Sequence, residues 1–320
     1  MLEERKVKVK GESERGASPC TQASSLSSQA SGLSSPLTPH FHSSLLVIGQ
    51  DSMIGSALAR EAQSLGIPFS GTSRRAGAQW PLDLAAPPES WTLPENISTA
   101  ILCAAETNIG SCEANPAATR DINTCAVIAL ADRLADQGAT LAFISSSRVF
   151  PPWMENPAES TIPAPNTEYG RQKLEVENHL RIKYPSAKII RPSKVITPAL
   201  PLFQIWLDSL AKNQPIRPFQ DLFLSPIALE LTARAILQIA FCSSPGVFHL
   251  AASDSISYFE AAMTIARRHG LDLALVTPML APQPNTPESA ILSCQRTIQN
   301  TDFRPSSAME NLHAAFANMP

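Results

Sequence analysis

Tyr169 and Lys173 stand four residues apart in the run Tyr169-Gly170-Arg171-Gln172-Lys173. On a helix that spacing places both side chains on one face. A free phenol has a pKa of about 10, too high for ready proton exchange near neutrality, and a neighbouring ammonium favours the phenolate and lowers that value. The pair is therefore an acid/base for a carbonyl or alcohol oxygen. The same spacing arises by chance on solvated helix faces, so the rest of the chain has to give it meaning. Asn166 and Thr167 suit an N-cap, Glu168 a first turn, and Leu174, Val176 and Leu180 an apolar side, so a helix is expected here.

Before it lies a second source of chemistry. Ala142-Phe143-Ile144 reads as a buried strand running into Ser145-Ser146-Ser147-Arg148-Val149-Phe150. A strand that ends in hydroxyls presents them at the carboxyl edge, where open parallel sheets bind ligands.

The elements that would position these groups begin at Ser44-Leu45-Leu46-Val47-Ile48-Gly49, a buried first strand, followed by a tight turn and a helix from about Met53 to Leu65. The turn is Gly49-Gln50-Asp51-Ser52-Met53-Ile54-Gly55. Gly49 permits a tight turn, Gly55 permits close packing of helix on strand, and the first-turn amides of Met53 and Ile54 would face a pyrophosphate at the positive helix end. Ser52 is small enough to leave room. A strand–turn–helix with no ligand is the plain alternative.

The second strand is expected at Ile67 to Thr72. NAD-preferring folds carry an acid at its end for the ribose diol; here the residues are Ser73-Arg74-Arg75, a hydroxyl and two guanidiniums that suit a 2′-phosphate. NADP(H) is therefore favoured over NAD(H). Thr99 to Ala105 forms the next buried strand, and small Ala104 and Ala105 at its end would let a cofactor approach. Asn123 falls at the start of, or within, a helix that continues through Leu130 and Leu134, where an Asn competes with the backbone and needs a reason.

The chain has 320 residues, 44% of them hydrophobic, with net charge −3. That suits one large α/β domain or two merged lobes and gives no basic footprint for nucleic acid. The six cysteines (20, 103, 112, 125, 242, 294) show no Cys-x-x-Cys pairing. They read as reduced thiols of a cytoplasmic protein with no metal site. No apolar run is long enough for a membrane span. Residues 1–43 alternate charge and then turn Ser- and Pro-rich, so a disordered N-terminal arm is expected, with no secretory signal.

Together these segments resemble the extended short-chain dehydrogenase/reductase family, most of all its dTDP-4-dehydrorhamnose reductase branch of sugar-nucleotide reductases. The resemblance spans about residues 45–318. It is most specific in Ile144-Ser-Ser-Ser-Arg-Val-Phe150 with Tyr169-Gly-Arg-Gln-Lys173-x-Glu175-x-Glu177, and continues loosely through Ile190-Arg191-Pro192-Ser193, Leu224-Ser225-Pro226-Ile227 and Gly246 to Ala251. In the family the turn reads Gly-x-x-Gly-x-x-Gly, with Ser52 here in the middle place.

The resemblance implies a Rossmann-type doubly wound parallel sheet in residues 44–191. Residues 192–320 would form mainly a smaller C-terminal substrate lobe, with some segments returning to the sheet. It makes Ser146 the hydroxyl that binds the substrate carbonyl, Tyr169 the proton donor and Lys173 the group that grips the nicotinamide ribose. It places Asp83 and Leu84 beside the adenine and gives Asn123 a role in holding backbone and water near Lys173. It implies NADPH-dependent reduction of a ketone, with a 4-keto nucleotide sugar as substrate, and leaves a homodimer open. Ser147 and Arg148 replace the Asp-Glu that dehydrating relatives carry, which disfavours dehydration. Two alternatives stand: a non-catalytic NADP-binding regulatory subunit, as in the same branch, and an NAD-dependent nucleotide-sugar epimerase.

In the later half, Pro192-Ser193-Lys194 departs from the branch's Thr-Ser-Trp, so the sugar specificity does not carry over. Helices are expected over Leu202 to Lys212, Ile227 to Phe241, Ser257 to about Gly270 and Ser306 to Ala317. Phe248 to Ala251 reads as a returning strand, and His249 as a strand-end residue satisfied by backbone. Trp153 and Trp206 could line a pocket, with packing the stronger reading.

Overall fold

Unbroken apolar runs become the central strands of a seven-stranded parallel sheet, as expected for strands buried on both faces. A computed structural model describes residues 44–75, 77–103, 106–282 and 291–317. The 1–43 arm, Ala104 and Ala105 lie outside the described residues.

In chain order the first half runs β1 (Leu45–Ile48), α1 (Met53–Ser64), β2 (Phe69–Ser73), β3 (Trp80–Pro81), β4 (Thr99–Leu102), α2 (Ile109–Ala114) and α3 (Pro116–Arg120). It continues with α4 (Val127–Asp136), β5 (Thr140–Ile144), α5 (Glu168–Lys183) and β6 (Lys188–Pro192). The second half runs β7 (Lys194–Ile196), α6 (Pro201–Ala211), β8 (Phe223–Leu224), β9 (Pro226–Ala228), α7 (Leu229–Phe241) and β10 (Gly246–Leu250). It ends with β11 (Ile256–Ser257), α8 (Tyr258–Arg268), α9 (Gln295–Asn300) and α10 (Ala308–Ala315).

The sheet order is β10-β6-β5-β4-β1-β2-β3. Strand order reverses between β1 and β4, so the crevice for a dinucleotide opens at their carboxyl ends. Successive side chains of each strand point to opposite faces. Leu45, Val47, Ile101, Ala142 and Ile144 pack with α1 and α7 on one side. Leu46, Ile48, Leu102, Leu141 and Phe143 pack with α4 and α5 on the other. Each fully buried Leu, Ile or Phe contributes about 1.5–3 kcal/mol, which fixes strand register and so the height at which each strand releases its loop.

A third cluster, with Phe203, Trp206, Leu210, Ile265, Leu312 and Phe316, holds the elements after β6 together. Trp206 belongs to it, its ring 5.6 Å from that of Phe203, whereas Trp153 is 57% exposed. β7 and β9 pair in a separate two-stranded sheet, while β10 returns beside β6.

Several boundaries differ from the sequence reading, two of them for a visible reason. The second strand starts at Phe69, because Ile67 is used to close α1: Gly66 sits at φ 65°, and the Ile67 and Gly66 amides donate to the carbonyls of Ala62 and Gln63 at 2.9 and 3.1 Å. This is the Schellman ending of a helix. The helix expected from Ile227 starts at Leu229, because Ile227 and Ala228 pair with Val195 and Ile196 first. Ser257 and Ser307 each close a capping box, with Glu260 and Glu310. Cys103, Cys112, Cys125, Cys242 and Cys294 are free thiols. Among the described residues no helix is long and apolar enough to cross a membrane, and no His/Cys/Asp/Glu group could hold a metal ion.

Candidate active site

Thr167 caps α5 by accepting the Gly170 amide at 3.1 Å. This brings Tyr169 and Lys173 onto the face turned to the sheet, 8% and 3% exposed. β5 ends at Ile144, and Ser146 caps a short 3₁₀ turn over Ser147–Val149. Of the three adjacent serines, Ser146 is the one whose hydroxyl lies beside the Tyr169 phenol and favours its ionised form. Ser145 instead donates to Glu177 behind the strand. Lys173 Nζ donates to the Ile144 carbonyl at 3.0 Å and lies 5.7 Å from the centre of the Tyr169 ring.

Gly170 brings these parts into contact. A Cβ on it would stand 2.2 Å from the Arg148 carbonyl oxygen, so the start of α5 touches the loop after β5 at backbone distance. The sequence signal was a glycine in a first helical turn, where it is costly without a packing reason.

The electrostatics correct one expectation. Lys173 is expected to lower the phenol's pKa; instead, burial pushes Tyr169 up to about 12, against the Ser146 hydroxyl and the Arg148 charge. Desolvation of a nearly dry site outweighs these favourable partners. The same burial pushes Lys173 down to about 8, against the pull of Cys103 and Glu177. The phenol is thus a firmly held proton near neutrality, and the ammonium is the group that titrates first.

Ser146, Tyr169 and Lys173 open on a cavity of about 350 Å³ that Met53 and Ile54 also line. Among the described residues that line it, the cations are Arg148, Lys173 and Lys194. Gly49, Ser52, Gly55, Ser73, Arg74, Arg75, Asp83 and Leu84 lie outside that lining. They form the turn after β1 and the ends of β2 and β3.

The turn fits a dinucleotide. Gly49 takes φ 77°, and a Cβ on Gly55 would meet the Gly49 carbonyl oxygen at 2.2 Å, so both positions require glycine. Ser52, in the middle place, caps α1 by accepting the Gly55 amide at 3.0 Å, which leaves the first-turn amides of Met53 and Ile54 for an anion. Arg74 and Arg75 are exposed beyond β2. Ser73 is buried and donates to Asp51, and Asp83 accepts the Ala85 amide at 3.0 Å.

Asn123 lies in a π-helical turn, Asp121–Ala126, and is fully buried. Its Oδ1 accepts the Glu106 amide at 2.7 Å, and its Nδ2 donates to the Glu106 carbonyl at 3.0 Å and to Gln172 Oε1 at 2.8 Å. It ties the loop after β4 to the helix that carries Lys173. A single-turn π-bulge is a common way to aim such a side chain. The sequence reading had no role for Asp51 or Gly170, nor for the buried pair of Glu177 and Arg191.

Residues 43–320 match the family described as the RmlD substrate binding domain. The dTDP-4-dehydrorhamnose reductase of Mycobacterium tuberculosis is 26% identical over 266 residues, 78% of this chain and 85% of that one. The probable low-salt glycan biosynthesis reductase Agl14 of Haloferax volcanii is 27% identical over 244 residues, 72% and 81% of the two chains. The β subunit of methionine adenosyltransferase 2 from Danio rerio is 26% identical over 230 residues, 63% and 68% of the two chains. In fold, dTDP-4-dehydrorhamnose reductase from Bacillus anthracis in complex with NADP superposes with a TM-score of 0.75 at 19% identity, covering 87% of this chain and all of that one. The match runs through the turn after β1, the serine run and α5, so the chain belongs to the RmlD family and is an NAD(P)-dependent oxidoreductase of the extended short-chain dehydrogenase/reductase type.

Proposed function

We propose that the protein reduces a ketone with hydride from NADPH, and that the ketone is carried by a nucleotide sugar, a 4-keto sugar of the dTDP-4-dehydrorhamnose kind. The observation that carries this reading is the convergence of the Ser146 hydroxyl, the Tyr169 phenol and the Lys173 amine on one cavity, with Lys173 Nζ 5.7 Å from the centre of the Tyr169 ring.

Ser146 donates a hydrogen bond to the substrate carbonyl oxygen and orients it. Ile54 and Lys173 line the place where a nicotinamide would be held, and the reduced cofactor would supply the hydride for the carbonyl carbon. Tyr169 gives its proton to that oxygen as charge develops on it, and a phenol that keeps its proton to about 12 is in the right state to do so. Lys173 holds the ribose hydroxyls and steadies the phenolate left behind. The amides of Met53 and Ile54 face the pyrophosphate. Gly49 and Gly55 make room for it. Arg74 and Arg75 suit the 2′-phosphate, Asp83 and Leu84 the adenine. Ala104 and Ala105, outside the described residues, belong to the same binding edge. Arg148 and Lys194, cations on the cavity lining, suit the substrate's diphosphate.

The test is oxidation of NADPH in the presence of a panel of 4-keto nucleotide sugars, alongside a thermal-shift screen with the same compounds and both dinucleotides. The expected result is turnover with at least one panel member and a raised melting point with NADPH. No turnover together with no shift would overturn the reading. The likeness to a methionine adenosyltransferase β subunit favours a second reading, a non-catalytic NADP-binding subunit. That reading predicts an NADPH-induced shift without turnover, and it leaves the Ser146, Tyr169 and Lys173 set without a use.

A further inference from the structure

The strand β2 ends without the carboxylate that accepts an adenosine ribose diol in NAD-binding folds. A carboxylate nevertheless stands there. Asp51, in the turn between β1 and α1, reaches across to β2, where its Oδ2 accepts the Ser73 hydroxyl. The same oxygen lies 3.6 Å from Arg75 Nε. The turn is held in that position by its backbone: the Gln50 amide donates to the Thr72 carbonyl at 2.9 Å, and the Gly49 amide donates to the Thr72 hydroxyl at 3.0 Å. Ser73 in turn accepts the Arg75 amide at 2.9 Å, which fixes the start of the arginine pair around the carboxylate. Arg75 is 79% exposed along its side chain and Asp51 33%.

We infer that Asp51 is the residue that sets the choice between NADH and NADPH, acting against the 2′-phosphate and for the free ribose diol. The inference rests on the nicotinamide-cofactor reading above and deepens it. Asp51 neutralises one of the two arginines, so the cationic end of β2 carries one net positive charge rather than two. A 2′-phosphate brought beside Arg75 is also brought beside a carboxylate, and like charges at such distances repel even near solvent. A ribose 2′-hydroxyl meets the opposite situation, because it can donate to the free lone pairs of Asp51. The acid that other folds place on the strand is here placed on the turn, and the chain accepts NADH alongside NADPH.

The experiment is titration of NADPH and of NADH, followed by nicotinamide fluorescence, on the full chain and its variants. Asp51→Asn keeps the shape and the contact with Ser73 but removes the charge. It is expected to move the ratio of the two dissociation constants towards NADPH by about tenfold, an effect that shrinks as salt rises. Arg75→Met is expected to move the ratio towards NADH. Asp51→Ser serves as the second variant, with melting temperatures checking the fold of all three. An Asp51→Asn ratio that stays put or moves towards NADH overturns the inference while leaving the cofactor reading intact. A wild-type protein that binds neither dinucleotide overturns both.

Discussion

The Arg191 guanidinium and the Glu177 carboxylate form an ion pair directly behind the serine run, their side chains 1% and 0% exposed. Glu177 also accepts the Ser145 hydroxyl, and Arg191 Nη1 stands 3.4 Å from His249 Nε2. The pair thus joins β6 and α5 to the residue next to Ser146. Removing one partner of a buried pair leaves the other charge uncompensated, at a cost of about 3–5 kcal/mol. Glu177→Gln is expected to lose stability of that order in urea unfolding, and the double variant Glu177→Gln with Arg191→Met to recover part of it. A single variant as stable as wild type would mean that the pair is not formed.

Tyr169→Phe removes the proton and little else. Loss of a positioned acid costs about 10²- to 10⁴-fold in rate, and that loss is expected in kcat, with NADPH affinity nearly unchanged. Ser146→Ala is expected to lose about 10²- to 10³-fold, the usual effect of removing one donor to a developing oxyanion. Unchanged ketone reduction in Tyr169→Phe would remove the proposed acid.

The pH profile separates the phenol from the amine. With Tyr169 held up near 12 and Lys173 down near 8 by burial, the basic limb of kcat/KM belongs to Lys173. Activity is expected to fall as pH rises through about 8, when the ammonium loses its proton. A profile that stays flat to pH 10 would contradict that ordering.

His249 makes the acid side of stability testable. Burial, helped by the charge of Arg191, pushes it down to about 3 from an ordinary 6.5. The folded protein holds it neutral while the unfolded chain takes a proton below 6.5, so stability is lost as pH falls through the window from 6.5 to 3. Its Nδ1 faces the Ser293 carbonyl at 3.1 Å, as a strand-end His satisfied by backbone would. His249→Asn is expected to show a flatter fall of melting temperature over that window than wild type.

Arg74 is exposed and pairs with no carboxylate among the described residues. Arg74→Ala is expected to weaken NADPH binding severalfold relative to NADH, and less at high salt. Equal effects on both dinucleotides would show that Arg74 does not meet the 2′-phosphate.

The sheet was legible in the sequence because runs such as Leu45 to Ile48 and Thr99 to Leu102 are apolar throughout, and little except a doubly covered parallel strand explains them. The spacing of Tyr169 and Lys173 was legible because helix geometry alone puts them on one face. Three things were not legible. The phenol's upward shift depends on how dry the assembled site is, which no spacing encodes. The contact of Asp51 with Ser73 joins residues 22 apart through a pairing of β1 with β2. The division of labour among Ser145, Ser146 and Ser147 depends on where β5 stops, a matter of one residue in register.

At Gly170 the backbone of α5 rests against the Arg148 carbonyl. One methyl group there would work as a wedge, lifting the helix start away from the loop while leaving the turn after β1 untouched. A Gly170→Ala protein would still capture its dinucleotide but hold the phenol out of reach of the serine. Capture and turnover are separable in this architecture, and a single missing side chain couples them.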